Sequence, residues 1–351
     1  MLYMSKKLIG VDFGSSAIKV FKLKDTSKGV VLEKFAYRTL IADAIVDGAV
    51  MDSISVQETV KELVDDIKIK NLNVSTAVSG HSVIVKNITM NNMPKEELKE
   101  TILLEAEQYI PFDVDEVYID FHIIGPDEKD ESLMNVILVA AKKDQVDEYS
   151  NILNNCNLKP VLVDIDSFAV ENCYEMNYED DPEKIVALVN LGASKINISI
   201  LKNRVPVFVR DINLGGKNYT EAIQKELQVE FDKAERLKTG QEDNGTKSSE
   251  IKMIIDGVSE EVCQEVIRSM DFFRNTSGLG EVNKVYLSGG CAKIEGIDEF
   301  FHERSQIEVE IMNPFKNIKI SKDVDIAQLN EIAPLAAVGV GLAMRKVGDN
   351  Q

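Results

Sequence analysis

Two short stretches carry the residues with the clearest chemistry: GVDFGSSAIKVFKL at 10–23 and LVNLGASKINISIL at 188–201. In the first, Asp12 offers hard oxygen of the kind that holds hydrated Mg²⁺. Gly14, Ser15 and Ser16 make a tight turn between two apolar runs. Such a turn exposes backbone N–H groups that cradle phosphate oxygens, glycine admits close approach, and the hydroxyls add donors. Lys19 leaves the turn on the second strand and can reach a phosphate as a point charge. By itself it would read as a solvated strand lysine; its place beside the turn gives it meaning. In the second stretch Asn190 aligns with Asp12, Gly192 with Gly14, Ser194 with Ser16 and Ile196 with Ile18, with Ala193 inside the turn. The two copies lie about half a chain length apart, so the chain reads as a duplicated domain whose two turns face each other across a cleft.

The elements that must hold these turns follow from hydrophobic periodicity. Residues 7–23 read as strand, turn and strand, with a third strand at 30–37. Val56, Val60, Leu63, Val64 and Ile67 have helical spacing over 55–67. Strands follow at 74–78 and 82–90. Pro94 opens a helix with glutamates in its first turn and Leu98, Ile102, Ala106 and Tyr109 on one face, stopped by Pro111. Strands at 117–124 and 134–141 and a helix at 145–156 complete a βαββα block over 82–156. Tyr109, Ile110 and Phe112 can form a partner surface, but apolar residues just before a strand read first as core. After a strand at 160–166 and a helix from Ser167, the strand-turn-strand pattern restarts at Ile185. A helix over 221–239, a loop at 240–249, a long helix over 250–277, a strand at 284–287 running into SGGCAKIEGI, and an apolar helix over 334–345 finish the chain.

Composition bounds what these parts can do. A chain of 351 residues with 44% hydrophobic and 28% charged residues is long enough for two globular domains. A formal charge of −19 argues against nonspecific nucleic-acid binding and against an anionic bilayer as a direct ligand. A phosphate compound would have to be recognised locally, by backbone N–H groups, a lysine and a divalent cation. Cys156, Cys173, Cys263 and Cys291 show no metal-binding spacing and read as reduced thiols. The apolar runs are expected to fall short of a membrane span, with no leader at the start, which places the chain in the cytoplasm.

Two phosphate hairpins and a late SGG turn resemble the actin-like ATPase superfamily, which includes actin, the heat-shock chaperones, sugar kinases and the division protein FtsA. The resemblance implies an α/β, two-domain ATPase fold made of duplicated RNase H-like halves, here with the inserted βαββα subdomain. It divides the chain into domain I (1–170, insertion included), domain II (171–333) and a C-terminal helix (334–351) returning to domain I. It also implies ATP with Mg²⁺ as ligand, Asp12 holding the metal through water. Gly289 and Gly290 in VYLSGGCAKIEGI take the place of the adenosine turn. DINLGGKNYTEAIQKEL and FDKAERLK resemble the segment that closes on the ribose and base. There Gly215 and Gly216 open a helix whose N–H groups either face phosphates or only cap, and Glu235 and Lys238 share one helix face. Asp166 stands where related ATPases orient the attacking water; a helix N-cap is its competing use. Asn190 departs from the aspartate usual at the second hairpin. It keeps an oxygen for a metal-bound water but loses a charge, so ATP binding is expected to survive and hydrolysis to be slow at most.

LLEAEQYIPFDVDEVYIDFHIIG and AERLKTG resemble the type IV pilus assembly proteins of the PilM family more closely still. That likeness implies a cytoplasmic, ring-forming, ATP-binding scaffold at the inner face of the cytoplasmic membrane, in a pilus or type II secretion-like platform. Its groove beside the insertion would grip the N-terminal cytoplasmic tail of a PilN-like membrane protein, with links to platform proteins and motor ATPases and no direct membrane insertion. The alternative is a membrane-recruited division filament protein of the FtsA type, whose amphipathic terminal helix the ending GLAMRKVGDNQ is too polar to match. A sugar kinase would need a carboxylate base beside a sugar pocket, and no such motif stands out. A chaperone is disfavoured because no substrate-binding domain is expected after residue 351.

Overall fold

The computed structural model describes residues 7–68, 73–127, 129–179, 181–240 and 248–349. Two sheets organise it. The first runs Lys159–Ile165, Asn73–Val78, Ile9–Phe13, Ala17–Thr26, Gly29–Thr39 and Lys319–Ile320; the second runs Val205–Ile212, Ile196–Lys202, Ile185–Leu191, Lys284–Ser288 and Glu308–Ile311. In both, three antiparallel strands form a meander and two parallel strands extend it beyond the first strand. The same order of five strands in each half makes the duplication a property of topology, as the repeated hairpins indicated.

Each sheet buries apolar side chains in two clusters, one within its own half and one shared with the helices Asp166–Asn177 and Ala337–Met344. Ile9, Val11, Ile18 and Val20 pack with Val56, Val60 and Leu63 of the helix Ser53–Ile67, whose N-terminus is capped by Asp52 accepting from the Ser55 N–H at 3.0 Å. Ala187, Val189, Ile196 and Ile198 pack with Val262, Val266 and Phe273 of the long helix Ser248–Ser277. Each large apolar side chain buried this way contributes about 1.5–3 kcal/mol.

The inserted block keeps its predicted order. Val83–Asn91, Leu133–Lys142 and Val117–Pro126 form an antiparallel sheet with the helix Lys95–Glu105 across it, seated by Leu98, Ile102 and Ala106. Ile110 is buried, and Tyr109 and Phe112 pack against the same cluster, so this trio is subdomain core. The closing helix Lys143–Asn155 turns Tyr149, Ile152 and Leu153 into the core of the first domain instead.

Three expectations change. The helix read over 221–239 is two helices, Gly216–Leu227 and Phe231–Lys238, because Gln228 is left-handed at φ 51° and breaks the ladder. The return to the first domain begins before residue 334: Lys319–Ile320 pairs in parallel with Val31 and Leu32 at the sheet edge. A two-residue strand has too little periodicity to be read from sequence. Finally, Ile326–Met344 is long and apolar enough to cross a membrane by length and composition, although 56% of its most apolar window is buried within the fold. Residues 241–247 of the loop read at 240–249 lie outside the described residues.

The halves are joined where the helix Ala337–Met344 crosses Asp166–Asn177. A Cβ on Gly341 would stand 1.7 Å from the Ala169 carbonyl oxygen, so only glycine permits this approach. The Ser75 hydroxyl donates to the Leu342 carbonyl at 2.7 Å and ties the same helix to the first sheet. Glu171, on Asp166–Asn177, accepts a short hydrogen bond from Ser199 of the second sheet, and burial pushes its carboxyl up to about 8.

We expect Gly341→Ala to destabilise the chain by about 3 kcal/mol or more in denaturant melts, because backbone must move. Gly257→Ala, with nothing within 4 Å of the new methyl, should be neutral or stabilising by up to about 1 kcal/mol. Glu171 keeps in the folded chain a proton that the unfolded chain releases above about pH 4.5. Its contribution is therefore complete below that pH and is lost as the pH rises toward 8. Glu171→Gln should flatten the fall in melting temperature between pH 5 and 8, a difference on the order of a few kcal/mol; parallel profiles for the two proteins would contradict this account.

Candidate nucleotide cleft between the two halves

The first turn is built by strand register. Asp12 pairs with Lys19 across the hairpin, both are buried, and the Lys19 ammonium lies 2.8 Å from Asp12 Oδ2. Lys19 is thus not a free point charge: it neutralises Asp12, leaving Oδ1 of that carboxylate for a hydrated cation. The Gly14 N–H closes the turn on the Ala17 carbonyl at 3.1 Å. Among the described residues the N–H groups of Ser15 and Ser16, and of Ala193 and Ser194 in the second turn, make no hydrogen bond.

The second turn has the same backbone and different chemistry. Asn190 pairs with Asn197 in the register that joins Asp12 to Lys19. Asn190 Nδ2 donates to Asn197 Oδ1 at 2.9 Å, and Asn197 Nδ2 donates to Asp211 Oδ1 at 2.8 Å. Asp211 Oδ2 accepts the Gly80 N–H of the first domain at 2.6 Å, and Lys195 donates to the Ser79 carbonyl at 3.2 Å.

The two turns meet. Ser15 Oγ and Ser194 Oγ are 2.5 Å apart, and outside them Lys217 pairs with Asp43 at 2.9 Å. A phosphate chain can lie between the turns only if this hydroxyl contact parts. Gly215 and Gly216 do open a helix, but its first donors are spent: Gly216 N–H donates to the Gly192 carbonyl at 3.0 Å and Lys217 N–H to that of Ala193 at 2.7 Å. Gly215 N–H donates to Asn218 Oδ1 at 2.9 Å. Their capping role therefore displaces the phosphate-facing one, and the helix buttresses the second turn.

The third turn joins the same place. Gly289 has φ 89° and donates to the Pro334 carbonyl at 2.6 Å; a side chain there would strike Leu191 and Asn190. Gly290 beside it is exposed, and Cys291 Sγ donates to the Gly192 carbonyl at 3.3 Å. Glu235 and Lys238 converge as their spacing indicated: Lys238 Nζ reaches Glu235 Oε1 at 2.5 Å and Thr220 Oγ1 at 2.9 Å, while Thr220 makes a short bond to the same Glu235 oxygen. Lys238 also donates to the Gly216 carbonyl at 3.3 Å, which sets this pair beside the second and third turns.

Asp166 is not an N-cap. It lies inside the first turn of its helix, after Ile165, and lines a cavity of about 50 Å³ with Ser79, Arg210 and Asp211. That is room for a few waters and not for a nucleotide. Burial first, then the nearby charge of Asp12, pushes its carboxyl up to about 6, against a hydrogen bond from Ser79 and the charge of Lys195. Such a group is mostly ionised at neutral pH and able to take a proton from water.

Sequence reading missed Asn197, Asp211, Thr220 and Lys195. One signal was present: the six-residue gap between Asp12 and Lys19 recurs between Asn190 and Asn197, with an acid and a lysine in one copy and two amides in the other. The residues fit the phosphates of a nucleotide, with free N–H groups and hydroxyls on both turns and a glycine turn alongside. For a cation they supply one half-neutralised acid and one amide oxygen, so most of its ligands would be waters and phosphates.

The family model described as type IV pilus assembly protein PilM matches residues 10–347. A chain of the solved PilM-PilN type IV pilus biogenesis complex superposes with a TM-score of 0.87 at 28% identity, covering 97% of this chain and 98% of that one. The ethanolamine utilization protein EutJ from Carboxydothermus hydrogenoformans (TM-score 0.58, 15% identity, 96% of this chain and 89% of that one) shares the fold. So does MreB5 of Spiroplasma citri bound to AMPPNP (TM-score 0.53, 13% identity, 96% and 94%). The duplicated sheets, the insertion and the facing turns are therefore those of an actin-like two-domain fold, and the chain belongs to the type IV pilus assembly protein PilM family.

Proposed function

We propose that this chain is a cytoplasmic ATP-binding scaffold of a pilus inner-membrane platform that holds the N-terminal tail of a PilN-like membrane protein. The observation that supports the nucleotide half is convergence: Ser15 meets Ser194, Cys291 beside Gly289–Gly290 reaches the Gly192 carbonyl, and Lys238, paired with Glu235, reaches the Gly216 carbonyl, so turns from both halves of the duplication come together. ATP with Mg²⁺ would sit there with the turn N–H groups on its phosphates and Asp12 on the hydrated cation. Glu235, Lys238 and Gly290 would take the nucleoside side. Asp166 would place water from its small cavity. With Asn190 in place of an acid, turnover is slow or absent, because phosphoryl transfer rests on charge neutralisation.

The partner half rests on the end-to-end likeness to a chain of the PilM-PilN complex and on a groove that suits such a tail. Between the helices Ser53–Ile67 and Lys143–Asn155, at the base of the insertion, Asp144, Asp147 and Glu148 line an open groove with Gln57 and Asn151. Met51 and Ile54 stand exposed beside it. Cytoplasmic tails of membrane proteins are rich in lysine and arginine, which an acidic groove with an apolar border complements. Ring assembly with its own copies, contact with motor ATPases, and a peripheral position without membrane insertion complete the reading.

Two measurements test it. Gly290→Glu should weaken binding of a fluorescent ATP analogue at least tenfold without lowering the melting temperature, since only Leu335 at 4.0 Å meets a new Cβ; undiminished ATP binding would show that the cleft is misassigned. A synthetic peptide of the PilN-like tail should bind the wild type at micromolar or better affinity by calorimetry, more weakly at high salt. Asp144→Lys with Asp147→Lys should cost at least tenfold, and an unaffected Kd would move the tail elsewhere.

A further inference from the structure

The two hairpins share a fold and a register but not their electrostatics, and the difference has a consequence for the cleft. In the first, the acid that faces the cleft, Asp12, is an acceptor whichever way its carboxylate turns. In the second, Asn190 is an amide with two unlike ends, an oxygen that accepts and an NH₂ that donates. Which end faces the cleft is decided elsewhere. Asp211 can only accept, so Asn197 must turn its Nδ2 toward Asp211 Oδ1. The Asn197 Oδ1 then points the other way and demands the Nδ2 of Asn190. Asn190 is left with its Oδ1 toward Ser288, whose hydroxyl lies 3.4 Å away, at the entrance to the third turn. Asn197 is almost fully buried, so the reversed arrangement would press two acceptor oxygens together with no water to separate them. The other oxygen of Asp211 is pinned by the Gly80 N–H, which keeps the carboxylate from swinging away.

We propose that Asp211 is a positioning residue that fixes the orientation of the Asn190 amide through Asn197, so that the second turn presents an oxygen to the metal-bound water of a nucleotide. The acid absent from the second turn stands two hydrogen bonds behind it. This rests on the nucleotide reading of the cleft. It deepens that reading by separating what Asn190 offers from what determines the offer.

The relay makes an unusual prediction about two single changes and their combination. Asp211→Asn allows the whole chain to reverse with every partner satisfied, and Asn190 then turns its NH₂ toward the cleft. Asn190→Asp puts acceptors at both ends of Asn197, so one carboxylate must face an amide oxygen. The exchange Asn190→Asp with Asp211→Asn satisfies every bond again and returns oxygen to the turn.

In ligand-free melts, Asn190→Asp should lower the melting temperature, and adding Asp211→Asn should restore most of that loss, a coupling that independent sites do not show. Additive effects would overturn the relay, and this arm holds whether or not the cleft takes a nucleotide. In titrations with a fluorescent ATP analogue, the ratio of Kd without Mg²⁺ to Kd with Mg²⁺ should fall at least fivefold in Asp211→Asn and recover in the exchange variant. An unchanged ratio in Asp211→Asn would overturn the orienting role. Failure of the wild type to bind the analogue at all would refute the nucleotide reading while leaving the melting cycle to judge the relay.

Discussion

Two helices that cross with no space for a methyl group hold this protein together. Where Gly341 meets the backbone of Ala169, the C-terminal helix is pressed into the helix that leads from the first half to the second. That contact sets how far apart the sheets lie, and so whether their hairpin turns can face each other. The Ser75–Leu342 hydrogen bond and the buried Glu171–Ser199 pair fasten the same joint to either sheet.

Around that joint the duplication has been used asymmetrically. The first turn solves the problem of a buried acid with a lysine directly opposite on the neighbouring strand, giving a neutral pair that needs nothing from outside its own hairpin. The second turn solves it with two amides and an acid that also grips the first domain at Gly80. Removing charge from a buried turn lowers the desolvation cost of keeping it there. It also makes the turn's chemistry dependent on neighbours, which a carboxylate is not. The second half is therefore the one whose cleft face is coupled to the base of the inserted subdomain, through Asp211 at Gly80 and Lys195 at Ser79.

The strong negative charge of the chain sharpens the need for local recognition. A phosphate compound approaching this surface meets repulsion at long range, screened beyond about 10 Å in salt of about 0.1 M. Attraction has to come from N–H groups on short turns. The negative charge is concentrated locally in the groove lined by Asp144, Asp147 and Glu148.

The sequence by itself determined the duplication, the two turns, the insertion and its core, because each is a local pattern: a glycine turn between apolar runs, or apolar spacing along one helix. It also placed Glu235 and Lys238 on one face, since helical spacing is local too. Only tertiary structure decided that Lys19 is consumed by Asp12, that the Gly215–Gly216 helix caps the neighbouring turn, and that Asp166 lines a cavity. Those outcomes depend on which atoms remain unsatisfied once the halves are packed. The break at Gln228 and the two-residue strand at Lys319 escaped reading because neither leaves a periodic trace. Asp211 escaped because its importance lies in a chain of side-chain hydrogen bonds between segments distant in sequence, and such geometry exists only after folding.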